Sequence, residues 1–304
     1  MNYAAIDIGT NTVLCLIAES ERANEYRVIE DRHAIARLGE GVDRTHFIAE
    51  DAFERFRRVL QMHVAAITSY SNVEIHAVAT SAMRDATNRE AICERVRNEF
   101  NIEIKILSGE EESRLTYLGA VSKNAEKHHP IGVLDIGGGS TELAIGTNGK
   151  FERGISLDIG AVRLTERYFP RRDSPQNTTA ARMYVQQMLE KQSTFRSAAH
   201  RWIAVAGTPT SLAAMELGLQ IFDRTKVEGY LLTREAVERR IEELASTTFD
   251  DLLRRHPVLA KGRADILLGG SVILYEVMRF VGMSEIRVST QGLRFGVIVD
   301  AIPG

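Results

Sequence analysis

The sequence predicts an α/β fold in two duplicated domains. Three observations predict it: the length of the chain, a β-β-β opening that occurs twice, and a glycine-containing loop set between the first and second strands of each opening. At 304 residues the chain fits two ordinary domains of roughly 150 residues each. Hydrophobic residues make up 44% and charged residues 26%, so sizeable cores can be buried and no disordered or fibrous bias is present.

The first half opens with strands at Ala4 to Ile8, Val13 to Glu19 and Tyr26 to Ala36, separated by GTNT and by the polar ESERANE stretch. Phe53, Phe56, Val59, Leu60, Val64 and Ile67 recur at helical spacing, which predicts a helix from Ala49 to about Tyr70. A short strand follows at Val73 to Ala79, then a helix capped by Asn88 and running to Phe100. Ile102 to Leu107 alternates as a strand, and Ser108 to Val121 reads as helix.

Beyond a polar linker at Lys123 to His129 the pattern restarts. Strands are expected at Ile131 to Ile136, Thr141 to Gly146 and Phe151 to Leu157, with Asn148-Gly149 turning the second into the third. Helices then read at Ala161 to Tyr168 and Thr178 to Phe195, a strand at Trp202 to Val205, and GTPTSLAAM opens another helix. The chain closes with helices at Thr233 to Ala245 and Arg263 to Val281, a strand at Ile286 to Ser289 and a helix from Gly292. The domain boundaries that follow are 1–125 and 126–291, with the closing helix 292–304 joined to the first domain.

Composition narrows the function classes. A net charge of −3 gives no footprint for a nucleic-acid partner, so a polyanionic substrate would have to be met locally. No window approaches the ~18 consecutive apolar residues of a membrane span, and the start MNYAAIDIG lacks the pattern of a signal peptide. A cytoplasmic protein without a membrane partner is expected. Cys15 and Cys93 show no CxxC spacing or histidine cluster, so they read as ordinary thiols. Arg171-Arg172, Arg239-Arg240 and Arg254-Arg255 read as solvated faces, and His128-His129 as linker surface. Oligomeric state is left open, a homodimer included.

DIGTNT at Asp7 to Thr12 and DIGGGST at Asp135 to Thr141 occupy equivalent turns. Gly9, Thr10, Asn11 and Thr12, and Gly137, Gly138, Gly139, Ser140 and Thr141, supply amides and hydroxyls that can converge on phosphate oxygens. One such string alone reads as a hairpin turn; two matching copies point to anion binding. Both loops join strand to strand and neither has the Gly-Lys-Ser/Thr of a Walker loop, so a lysine-cradled nucleotide is not indicated.

In SGEEESR, Ser108 and Glu111 form a capping box, which accounts for Glu111. Successive helical residues point ~100° apart, so Glu112 takes a separate direction and is the candidate general base. Arg84, just past a strand end, can fork onto phosphate oxygens. Gly207, Thr208 and Thr210 open a helix whose N-terminus suits an anion, with capping by Thr208 as the structural alternative. Asp7, Asp135 and Glu142 would give three oxygen donors, a set that suits Mg²⁺.

Taken together and in order, AIDIGTNT, ATSAMR, SGEEESR, LDIGGGSTEL, AGTPTSLAA, KGRAD and VSTQGLRFG resemble the exopolyphosphatase and guanosine pentaphosphate phosphohydrolase (Ppx/GppA) family. The resemblance covers nearly the whole chain. It implies a duplicated actin-like fold of the ribonuclease H-like, sugar kinase and Hsp70 superfamily, with the substrate in an interdomain cleft. It also implies release of the terminal phosphate from polyphosphate or guanosine pentaphosphate, with Mg²⁺ as the metal. Glu112 aligns with the family's catalytic glutamate, and Arg84 and Arg263 with substrate-facing arginines. The chain stops at Gly304, which implies a short form without the family's additional helical C-terminal domain. Ser113, Pro209 and Phe295 depart from the commoner family pattern, Phe295 replacing a glutamate after Gly-Leu-Arg. The rival readings are a kinase of the same superfamily and a non-catalytic sensor of guanosine tetraphosphate.

Overall fold

The computed structural model describes residues 1–22, 25–122, 129–169, 178–259 and 261–303. Most of the expected 123–129 linker, including His128, and the Arg171-Arg172 pair lie outside the described residues. The chain divides into two compact units, Met1–Lys123 with Gly292–Gly304, and Asn124–Gln291.

The first unit begins with β1 (Asn2–Ile8), β2 (Thr12–Arg22) and β3 (Glu25–Ile35), followed by α1 (Val42–Thr45) and α2 (Glu50–Ile67). It continues with β4 (Val73–Ala79), α3 (Ser81–Asp85), α4 (Arg89–Phe100), β5 (Ile104–Ile106) and α5 (Gly109–Val121). The sheet order is β3-β2-β1-β4-β5. β1 to β3 run antiparallel in succession, while β4 and β5 run parallel to β1.

The second unit carries β6 (Ile131–Ile136), β7 (Thr141–Thr147), β8 (Lys150–Leu157), α6 (Ala161–Tyr168), α7 (Thr179–Glu190), a 3₁₀ turn at Ser193–Phe195, β9 (Arg201–Val205) and α8 (Gly207–Glu216). Then come α9 (Arg224–Val227), β10 (Leu231–Thr233), α10 (Arg234–Ser246), α11 (Phe249–Arg255), α12 (Lys261–Ala264), α13 (Leu267–Val281) and β11 (Glu285–Val288). Its sheet order is β10-β11-β9-β6-β7-β8. β8, β7, β6, β9 and β11 repeat the 3-2-1-4-5 pattern of the first sheet, and β10 adds an antiparallel edge strand. This repeated order is that of the ribonuclease H-like fold, so the duplicated α/β reading holds. α14 (Leu293–Ala301) returns to the first unit.

β1 is buried on both faces, which is why it reads as a continuous apolar run. Ala4, Ile6 and Ile8 join the core under α2, with Phe53, Phe56 and Leu60. Tyr3 and Ala5 point the other way, onto Leu115 of α5 and Phe295, Val297 and Ile298 of α14. Phe295 is completely buried there and serves the packing of α14 on the sheet. Asp7, by the two-residue period of a strand, lies on the α5 face.

Several local expectations change. Asn88 is the N-cap residue of α4 but makes no cap bond; its amide instead receives Ile48 N–H at 3.0 Å and donates to Ile48 O at 3.0 Å, tying two loops together. The helix expected over 263–281 is broken into α12 and α13. Short elements such as α1, α3 and β10 show too few residues for a period to be read. Pro209 does not interrupt α8: it sits in the first helical turn, where its missing N–H has no intrahelical acceptor to lose. Arg240 is not on a solvated face, since it binds Glu216 and Glu243 at 2.6 Å each. Both cysteines are free thiols, and burial pushes the Cys15 thiol up to about 12. No described helix is long and apolar enough to cross a membrane.

Candidate active site

The two glycine loops are the same object built twice. Ile8 pairs with Val13 and Ile136 pairs with Thr141, so each hairpin has four loop residues, Gly9 to Thr12 and Gly137 to Ser140. Gly9 N–H donates to Thr12 O at 3.0 Å, and Gly137 N–H donates to Ser140 O at 3.0 Å. Thr12 therefore corresponds to Ser140, and Thr141 corresponds to Val13.

The segment after the third strand of each unit holds its loop from behind. In the first unit Gly39 N–H donates to Thr10 O at 2.8 Å, and Ala36 and Arg37 N–H donate to Asn11 O at 3.0 and 2.9 Å. In the second, Ala161 N–H donates to Gly137 O at 2.9 Å, while Val162 and Arg163 N–H donate to Gly138 O at 2.8 and 3.2 Å. Arg163 Nε donates to Gly139 O at 2.8 Å. A planar trans peptide points the carbonyl of one residue and the N–H of the next in opposite directions. With the carbonyls of Gly137, Gly138 and Gly139 drawn onto α6, the N–H groups of Gly138, Gly139 and Ser140 face away from it, as an anion nest requires. The same geometry turns the Asn11 and Thr12 N–H groups outward from the first loop. Gly160 is needed for the close approach, because a Cβ there would run into the Gly138 carbonyl. Thr141 is spent on structure, its hydroxyl donating to Ile159 O at 2.6 Å.

In the first unit three parallel strands end side by side. Ile8 pairs with Ala79 and Ala79 with Ile106; Thr80 N–H then donates to Ile8 O at 3.2 Å and Leu107 N–H to Ala79 O at 2.9 Å. The loop after β1, the start of α3 and the start of α5 thus meet at the carboxyl ends of the strands, where ligands of open α/β sheets bind. Ser108 and Glu111 make the expected capping box, with Ser108 N–H donating to Glu111 Oε2 at 3.0 Å and Glu111 N–H to Ser108 Oγ at 3.2 Å. Glu111 also meets Lys105 at 2.8 Å, and the bonds from Lys105 and Ser108 lower its carboxyl to about 2. Glu110 is exposed, whereas Glu112 is buried at 6% exposure. Arg84 Nη1 donates to Glu112 Oε2 at 2.9 Å and to Leu107 O at 2.9 Å. The two residues singled out for chemistry are therefore brought together, on the sheet face that carries Asp7.

In the second unit Asp135 and Glu142 are direct cross-strand partners, and Glu142 pairs in turn with Ser156, whose hydroxyl donates to Glu142 Oε1 at 2.7 Å. Directly opposite residues present their side chains on the same face about 5 Å apart. Asp7 belongs to the first unit, where its cross-strand partner is Leu14. Among the described residues no three His, Cys, Asp or Glu are grouped to hold a metal ion; of the three expected donors, Asp135 and Glu142 are paired within the second unit and Asp7 stands in the first. The Asp135–Glu142 pair still fits Mg²⁺, which takes one or two carboxylates and fills its octahedron with water and phosphate oxygens.

At the end of β9, a Cβ on Gly207 would stand 3.0 Å from the Arg263 guanidinium, so those two expected residues are neighbours. Thr208 is not the cap of α8: Ala206 is, and the Thr208 side chain packs onto α13 at Gly270. Thr210 Oγ1 donates to Ala206 O at 2.8 Å. Ala206 adopts φ 73° and ψ −166°, a region essentially reserved for glycine. Neither this strain nor Arg163 was found by the sequence reading. The signal for Arg163 was present as one arginine inside the apolar run of α6.

A family model described as the Ppx/GppA phosphatase family matches residues 16–304. The bifunctional 3-dehydroquinate synthase/phosphatase of Fusobacterium nucleatum is 32% identical over 98% of the chain; the chain spans about half of it, 46% of that relative's length. Exopolyphosphatase 2 of Mycobacterium tuberculosis is 31% identical, covering 98% of the chain and 97% of the relative. The crystal structure of the Aquifex aeolicus Ppx/GppA family member superposes with a TM-score of 0.81 at 31% identity, over 99% of this chain and 97% of that one. By both the matched model and these relatives, the chain belongs to the Ppx/GppA phosphatase family.

Proposed function

We propose that this phosphatase hydrolyses the terminal phosphoanhydride of inorganic polyphosphate, and of guanosine pentaphosphate, which presents the same bond. The observation that carries the proposal is the buried Glu112 carboxylate held by Arg84 at the carboxyl ends of β1, β4 and β5. A carboxylate that is buried, fixed in direction and beside an anion-binding loop can accept the proton of an attacking water, which contributes about 10²- to 10⁴-fold. Arg84 then has two tasks: it fixes Glu112 and it offers guanidinium charge to the phosphoryl oxygens. Main-chain amides of Asn11 and Thr12, of Gly138 to Ser140 and of Gly207 and Thr208, together with Arg263, hold the substrate phosphates. In a displacement with a loose transition state, such positioning and charge stabilisation do most of the work. Mg²⁺, when bound, supplies positive charge to the phosphate oxygens; Asp135 and Glu142 are the residues that would hold it, with Asp7 at the first loop.

The testing experiment measures phosphate release from long and short polyphosphate, guanosine pentaphosphate and ATP, with and without Mg²⁺, for the native chain and for Glu112→Gln. Turnover is expected to fall by about two decades or more in the variant while folding and phosphate binding persist. Unchanged turnover would remove Glu112 from the chemistry. Tight guanosine tetraphosphate binding with no phosphate release from any substrate would favour a sensor, and an acceptor-dependent transfer from ATP a kinase.

A further inference from the structure

We propose that Arg163 is a positioning residue for phosphate binding: by holding the Gly139 carbonyl, its Nε turns the Ser140 N–H toward the ligand side of the second loop. The inference rests on the reading of that loop as a phosphate cradle. Arg163 is 9% exposed and stands in the first turn of α6, between the buried residues Ala161 and Leu164. Three successive loop carbonyls are drawn onto this turn, but not by the same means. Those of Gly137 and Gly138 are taken by the main-chain N–H groups of residues 161 to 163. A helix start has run out of convenient main-chain donors by the third carbonyl, and the Arg163 side chain supplies it at 2.8 Å.

The consequence follows from peptide planarity. Fixing Gly139 O fixes the direction of the Ser140 N–H, the last of the three outward-facing donors. In the first loop the equivalent residue to Gly139 is Asn11, whose carbonyl is held by two main-chain N–H groups, of Ala36 and Arg37. The two loops are thus equivalent in outcome and different in the chemistry of the clamp. In the second loop a side chain sets the last donor, so there a substitution can separate the clamp from the backbone.

Two variants isolate the hydrogen bond. Arg163→Gln carries an amide N–H at the topological position of the arginine Nε and removes the charge. Arg163→Met carries a methyl carbon at that position and removes both donor and charge. The full chain, labelled with ¹⁵N, is titrated with inorganic phosphate while the Gly138, Gly139 and Ser140 amide resonances are followed, and the melting temperature of each protein is recorded. The native chain is expected to respond at all three amides, Arg163→Gln to bind within about threefold of it, and Arg163→Met to bind roughly ten- to a hundredfold more weakly with the Ser140 response lost. In turnover of polyphosphate, Arg163→Met is expected to raise KM far more than it lowers kcat.

Native binding matched by Arg163→Met, or equal weakening in both variants, would overturn the clamp while leaving the cradle intact. Loop amides of the native chain that ignore phosphate would overturn the cradle and the clamp together. If Arg163→Met melts before it can be titrated, Arg163→Gln decides alone: binding within threefold supports the hydrogen bond, and a loss of tenfold or more rejects it.

Discussion

Glu111 and Glu112 are adjacent in sequence and divided in task, because one helical step turns them ~100° apart. Glu111 faces the helix start and closes the capping box, while Glu112 turns inward to Arg84. A carboxyl lowered from 4.5 to about 2 stabilises the fold above its unfolded value and loses that contribution as pH falls. Glu111→Gln is therefore expected to flatten the acid loss of melting temperature between pH 4.5 and 2. Because the ion pair with Lys105 is open to solvent, the effect is about 1 kcal/mol or less, read from melting curves across that window. Ala206 offers a second test at this scale. Its glycine-only backbone region costs about 1–3 kcal/mol, against roughly 0.5–1 kcal/mol of chain entropy that glycine would add to the unfolded state. Ala206→Gly should raise stability by about 1 kcal/mol in denaturant titration; a loss of stability would mean that the alanine methyl is held by favourable packing.

Among the elements, α5 and α14 carry the site from behind. Their crossing is close enough that a Cβ on Gly119 would strike Gly292 O and one on Gly296 would strike Leu115 O. Backbone meets backbone there, so no side chain can swing aside to make room. Gly296→Ala is expected to cost about 1–3 kcal/mol by overpacking, measured by chemical denaturation, and to lower activity by displacing α5 and with it Glu112. A variant as stable and active as the native chain would show that the crossing yields. The loops obey the same logic. Each is a four-residue hairpin whose carbonyls are held by the segment after the third strand, so loop geometry belongs to the unit's sheet and not to the loop sequence alone. GTNT and GGGS reach equivalent backbones with three of four residues different for that reason.

For the molecule as a whole, the last helix completes the first unit. α14 covers the face of the sheet formed by Tyr3, Ala5 and Leu16, and Arg294 fastens it to β3. Arg294 Nε and Nη2 donate to the two oxygens of Asp31 at 2.8 and 2.9 Å, with His33 beside them. Burial alone would raise Asp31, but the bonds from His33 and Arg294 outweigh it and hold the carboxyl well below the ordinary range. Breaking a buried pair leaves one charge uncompensated, so Arg294→Met should cost about 3–5 kcal/mol in denaturation. A cost below 1 kcal/mol would mean that water reaches Asp31 freely. The sequence by itself determined the duplicated strand pattern, the paired loops, the capping box and the separate direction of Glu112, because strand alternation, helical period and capping are local rules written in neighbouring residues. Only the tertiary structure decided that Arg84 meets Glu112, that Arg163 clamps Gly139 and that Thr208 faces α13. Each of those contacts joins different elements, and their distances are set by sheet register and helix packing, which no local period encodes.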